Sequence, residues 1–125
     1  MKKIIIVAVF LFSRYAYSQD TVKVASTLTP DQQAELDYNS GIEQMKKPDY
    51  LTAVDFFTKA IVSKPDFDKA FYNRAVALTK LKRYTEAYAD VNKVIAKSPQ
   101  NCEAIFTKSI IFFSENRIRL SESMF

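Results

Sequence analysis

The sequence predicts an all-α fold, an α-solenoid of antiparallel helix pairs with two full repeats and a partial third. Three observations carry this expectation. Residues 34–67 align with 68–101 in one register, pairing Tyr38 with Tyr72, Asn39 with Asn73, Lys46 with Lys80, Tyr50 with Tyr84, Ala53 with Ala87, Lys59 with Lys93, Ile61 with Ile95 and Pro65 with Pro99. About two such identities would arise by chance, and a fixed period of this length marks a repeat array. Apolar residues recur at helical spacing inside each copy, and a third copy opens at Cys102. Finally, one glycine and four prolines against 48% apolar residues fit neither a turn-rich β fold nor a disordered chain.

Taken in order, Met1 to Ser18 has the layout of a secretory signal: Lys2 and Lys3, the apolar run Ile4 to Phe12, then Ala16-Tyr17-Ser18 before Gln19. Nine apolar residues at about 1.5 Å each cover about half of a bilayer core of roughly 30 Å, so cleavage after Ser18 is expected in place of a membrane anchor. No cysteine follows the run to take a lipid. The mature chain is expected to be exported, periplasmic or secreted, without stable membrane insertion. Residues 19–29 read as a leader or linker whose Val22 to Leu28 stretch could lie along a groove, and residues 30–125 as the repeat domain.

Thr29-Pro30-Asp31-Gln32 is a helix start, with a capping hydroxyl, proline at the first helical position and Gln32 placed to complete a capping box. The first helix is expected from Pro30 to about Lys46, with Ala34, Tyr38, Gly41, Ile42 and Met45 on one face. Pro48 ends it and Asp49 caps the second, Tyr50 to about Ser63, which buries Ala53, Phe56, Phe57, Ala60 and Ile61. Pro65 follows, and Asp66 or Asp68 is expected to cap a third helix running to about Leu81. The fourth, Tyr84 to about Lys97, buries Ala87, Val91, Val94 and Ile95. After Pro99, Asn101 caps a fifth helix expected to stop near Ser114, with a short sixth beginning near Arg117.

Paired helices at this period resemble the tetratricopeptide repeat family. The matching residues are Gly41, Tyr50, Ala53, Phe57, Ala60 and Pro65 in the first unit, and Phe71, Ala75, Leu78, Tyr84, Ala87, Val91 and Pro99 in the second. Ile105, Ser109, Phe112 and Ile118 match in the third. The resemblance implies a right-handed solenoid in which small residues let the two helices of a unit approach closely. Asp37, Ser40 and Gln44 stand where the family has bulky apolar residues, which suits a helix at the end of a stack.

In this family ligands bind the concave face lined by the first helix of each unit. The resemblance therefore implies partner-binding residues Tyr38, Asn39, Ile42 and Met45, then Tyr72, Asn73, Val76 and Thr79, then Phe106, Thr107, Ile110 and Phe113. The aromatic series Tyr38, Tyr72, Phe106 would offer an amphipathic groove to an extended peptide or a helix, with Asn39 and Asn73 bonding its backbone. The competing reading is that the same stripe is ordinary core. Some family members clamp acidic C-termini with lysine, asparagine and arginine. Only Asn73 matches here, since Tyr38, Ile42, Glu103 and Thr107 occupy the other clamp positions.

Composition narrows the function further. Without histidine and with the single cysteine Cys102, the chain has no Cys/His zinc site, no histidine triad and no internal disulfide. No metal or cofactor is expected. Cys102 reads as a small buried residue, with a reactive thiol at a helix start as the alternative. Asp55, Glu86 and Asp90 read as isolated acids on solvated faces, so no enzymatic role is expected. Three of the basic residues lie in the signal, leaving 15 basic against 14 acidic side chains, too even a balance for nucleic acid. A protein-binding scaffold is the leading expectation. The alternative is a structural subunit or fragment of a longer array that self-associates through Ile105 to Phe113, an apolar edge with little to cover it.

Overall fold

The computed structural model describes residues 28–124. The expected signal, the expected leader before Leu28 and its suggested path along a groove lie outside those residues. Five helices follow one another: α1 (Pro30–Lys46), α2 (Tyr50–Ser63), α3 (Asp68–Lys80), α4 (Tyr84–Lys97) and α5 (Cys102–Ser123), with no strand among the described residues. The chain is thus an all-helical, tetratricopeptide-like repeat of paired helices.

Local chemistry sets the helix ends. Thr29 accepts from the Gln32 amide at 3.2 Å while the Gln32 side chain accepts from the Thr29 amide at 2.9 Å, so the expected capping box is present. Asp49 caps α2 through the Thr52 amide, and Asn101 caps α5 through the Ala104 amide. The start of α3 differs from expectation: its N-cap is Phe67, with no side-chain cap, and Asp68 is already inside the first turn. Phe67 is buried against Tyr38, with ring centroids 5.1 Å apart, so packing between units fixes this helix start.

Both turns inside the helix pairs have one geometry, 34 residues apart. The amide of Asp49 donates to the Gln44 carbonyl and that of Arg83 to the Leu78 carbonyl, the six-to-one bond of a Schellman closure. The residue before each has positive φ, 26° at Pro48 and 60° at Lys82, where glycine is usual. Lys82 completes the motif by donating to the Thr79 carbonyl. Pro48 has no N–H to do so, and its ring prefers φ near about −65°, so the first turn is the more strained.

α5 departs from the repeat. Residues 115–117 correspond to the turn at 81–83, yet the helix runs through them to Ser123, so the expected break near Ser114 and the sixth helix do not occur. No proline or glycine interrupts Cys102 to Ser123, and among the described residues no helix follows α5 to fold back onto it.

Each helix packs on its neighbour in sequence, and α1 also meets α3, and α3 meets α5. The backbones of α2 and α4 stay further apart than those of α1 and α3. The array therefore curves, with the first helices of the units on its inner side and the second helices on its outer side. Its core combines Ala53, Phe57, Ala75, Ala87, Val91, Ala104 and Ile111, all fully buried. A second cluster of Ala34, Ala60, Phe67 and Ala70 locks the first unit to the second. Phe56, Ile61 and Ile95 are half-buried, while Val54, unremarkable in the sequence, is in the core.

Close approach in the first unit depends on Gly41, whose missing Cβ would lie 2.5 to 2.9 Å from three ring carbons of Phe57. The small residue of α1 thus faces a phenyl ring of α2. Asp37 and Gln44 share its stripe and, like Ser40, are half-buried at the amino-terminal edge of the stack, whereas Phe71 and Leu78, 34 residues on from Asp37 and Gln44, are buried. That edge exposes Leu28 and Leu36 beside Asn39.

Two acids also differ from expectation. Asp90 is 3% exposed and receives both Nε and Nη2 of Arg74, at 2.7 and 2.8 Å, joining α4 to α3. Arg74 also donates to Thr58 Oγ1 on α2 at 3.0 Å, so one guanidinium ties three helices together. Glu86 accepts a bidentate pair from Arg83, which draws its carboxyl below the usual range. Burying Asp90 is tolerable because Arg74 satisfies both carboxylate oxygens.

Candidate functional site: the groove between α3 and α5

The inner layer is built by a hydroxyl relay between units. Asn73 Nδ2 donates to Tyr38 Oη at 3.1 Å, and Thr107 Oγ1 donates to Tyr72 Oη at 3.2 Å. Each bond spans 35 residues, so each unit's tyrosine is held by the residue one past its own equivalent in the next unit. Tyr38 also packs on Phe57 at 5.8 Å, and burial, then the nearby Glu35 carboxylate, push its phenol pKa up against the lowering effect of Asn73. Here the stripe is core. Asn73 spends its amide on Tyr38 and on the Lys69 carbonyl, whereas Asn39, at the free end of the array, is exposed.

Beyond Tyr72 the same layer opens. A cavity of about 470 Å³ lies between α3 and the length of α5. Its walls are Tyr72, Val76 and Thr79 on one side and Phe106, Thr107 and Ile110 on the other. These are six of the twelve residues expected to bind a partner. Ile42 and Met45 pack partly buried against the core, and Asn39 lies at the opposite end beside Leu28 and Leu36. Phe113 turns to the outer side, lining a separate cleft with Tyr88, Ile105 and Phe112.

Sequence reasoning missed the rim. Lys80, Lys82 and Tyr84 line it from the α3–α4 hairpin, and Ser114, Arg117 and Ile118 from the second half of α5. The spacing of Phe106, Ile110, Ser114 and Arg117 on one helical face would have revealed the latter set, had α5 been taken as continuous. None of the three rim cations makes an ion pair among the described residues. The remaining lining residues are apolar, hydroxyl-bearing or aromatic.

Among the described residues no group of acidic, cysteine or histidine side chains could hold a metal, and no helix is long and apolar enough to cross a membrane. Cys102 is exposed at the start of α5, contrary to the buried reading, in a first turn where Glu103 beside it also faces solvent. Its Sγ lies 3.6 Å from the Gln100 carbonyl.

Fold and site together define a short helical repeat with an open inner groove. No known family profile matches the chain. It is 32% identical over 79 residues to human Sperm-associated antigen 1, covering 63% of this chain and 8% of that protein. It is 43% identical over 54 residues to an uncharacterised protein of Methanocaldococcus jannaschii, covering 43% of this chain and 63% of that one. It is also 38% identical over 60 residues to the Protein SGT1 homolog of Oryza sativa, covering 48% of this chain and 16% of the rice protein. The chain therefore spans less than two thirds of each of these relatives.

Proposed function

We propose that this chain is an exported tetratricopeptide-type scaffold, without catalytic function, that binds an extended or helical segment of a protein partner in the groove between α3 and α5. The supporting observation is the convergence of Tyr72, Val76, Thr79, Phe106, Thr107 and Ile110 on one open cavity. Phe106 and Ile110 are exposed there although large and apolar, and burying them under a partner removes that area from water. The likeness to short stretches of two much longer proteins fits a module that recurs within larger architectures. Export rests on the amino-terminal pattern of Met1 to Ser18.

The test is capture of binding proteins from the exported fraction of the source cell by the mature chain, run beside Phe106→Glu and Ile110→Glu. Both positions are exposed, so both variants should melt like the parent. Species retained by the parent and lost from both variants support the groove. Equal retention by all three removes it as the binding site.

A further inference from the structure

A second, independent surface lies on the outer side of α5. In the second unit, α4 is seated on α3 along Phe71, Arg74, Ala75 and Leu78. The three apolar residues are buried, and Arg74 grips Asp90 of α4. Moving on by 34 residues, the same stripe of α5 reads Ile105, Lys108, Ser109 and Phe112. All four are exposed, and with Tyr88 and Phe113 they line a cleft of about 410 Å³. Because α5 continues straight through residues 115–117, the chain does not fold a helix back onto the stripe there, as it does after α1 and α3.

The stripe keeps the character of an occupied seat. Ile105 and Phe112 replace Phe71 and Leu78, Ser109 replaces Ala75 as the small residue, and Lys108 keeps the positive charge of Arg74. Lys108 makes no ion pair among the described residues. A cation between exposed apolar groups favours a ligand that brings a carboxylate together with apolar area.

We infer that this stripe receives one amphipathic helix from a partner protein, antiparallel to α5 and with the chemistry of α4. Such a helix carries a small residue at the position of Ala87, a carboxylate three residues on, where Asp90 reaches Arg74, and a branched aliphatic residue at the position of Val91. The carboxylate bonds Lys108, the aliphatic residue stands over Ser109, and Ile105 and Phe112 are covered. The docked helix completes the third unit as α4 completes the second.

The probe is a labelled peptide of the α4 sequence, Tyr84 to Lys97, titrated into the full mature chain and followed by fluorescence anisotropy. Saturable binding is expected, weakened about tenfold by Lys108→Glu and recovered when the peptide carries Asp90→Lys. Phe106→Glu, which alters the inner groove, should leave this binding unchanged, so the two surfaces fail or succeed separately. Absence of saturable binding, or binding indifferent to the charge exchange, overturns the assignment. So does a concentration-dependent dimer of the chain alone that Phe112→Asp dissolves, because the seat then belongs to a second copy.

Discussion

Gly41→Ala is the sharpest perturbation of the helix pair. Judged by the helix alone it should stabilise, since alanine is favoured over glycine by about 1 kcal/mol and a buried methyl adds about 0.8 kcal/mol. The structure opposes both gains. The new carbon would stand 2.5, 2.7 and 2.9 Å from three atoms of the Phe57 ring, against about 3.5 to 4.0 Å for carbons in contact. Phe57 is fully buried and backed by Tyr38, so the ring has nowhere to retreat and the helices must part. Overlap of about 1 Å belongs at the upper end of the roughly 1 to 3 kcal/mol cost of overpacking, which leaves a net loss of about 1 kcal/mol. The second unit shows the remedy, because Ala75 and Val91 occupy the equivalent positions, both fully buried. Phe57→Val alone should cost about 2 to 3 kcal/mol, and less by about 1 kcal/mol in the Gly41→Ala background. Urea unfolding followed by far-ultraviolet circular dichroism on all four chains measures this cycle. An unchanged or higher midpoint for Gly41→Ala, or strict additivity in the double variant, would refute the reasoning.

Three further outcomes follow from the same structure. Arg74→Leu strands the buried Asp90 carboxylate and should destabilise by about 3 kcal/mol, whereas Asp90→Leu should cost less because the Arg74 side chain, 19% exposed, can reach water; equal losses in urea unfolding would contradict this. Lys82→Gly relieves the positive φ of the second turn and should stabilise by about 1 kcal/mol, read as a higher melting temperature. Since burial raises the Tyr38 phenol above its ordinary 10.0, its contribution is fully present below pH 10 and is lost as pH rises through the folded value. The melting temperature should therefore fall above pH 10, and fall less steeply in Tyr38→Phe.

Much of this architecture was legible because the repeat carries its own punctuation. Thr29, Pro48, Pro65, Pro99 and Asn101 mark helix ends that the structure keeps. The straight course of α5 was not legible, for a physical reason. The turn at Leu81-Lys82-Arg83 also lacks proline and glycine, so local sequence does not separate a stretch that turns from Glu115-Asn116-Arg117, which does not. The difference lies in tertiary packing: α4 covers the apolar stripe of α3, and nothing in the described chain does so for α5. Asp90 was misread for a related reason, since its partner Arg74 lies on the preceding helix and only folding brings the pair together. The tyrosine series was legible as a series. Its division into core at Tyr38 and groove wall at Tyr72 depends on Phe67, an N-cap residue that closes over the first ring and has Asn101 as its equivalent beside the second.

The proposed function requires a protein partner in the groove between α3 and α5. The most direct measurement places a photo-crosslinking phenylalanine analogue at Phe106, on the groove wall, and separately at Val62, 77% exposed on α2 of the outer layer, in chains expressed in the source cell. Irradiation should give a discrete protein adduct from position 106 and none from position 62. Adducts of equal yield from both positions, or from position 62 alone, would contradict it.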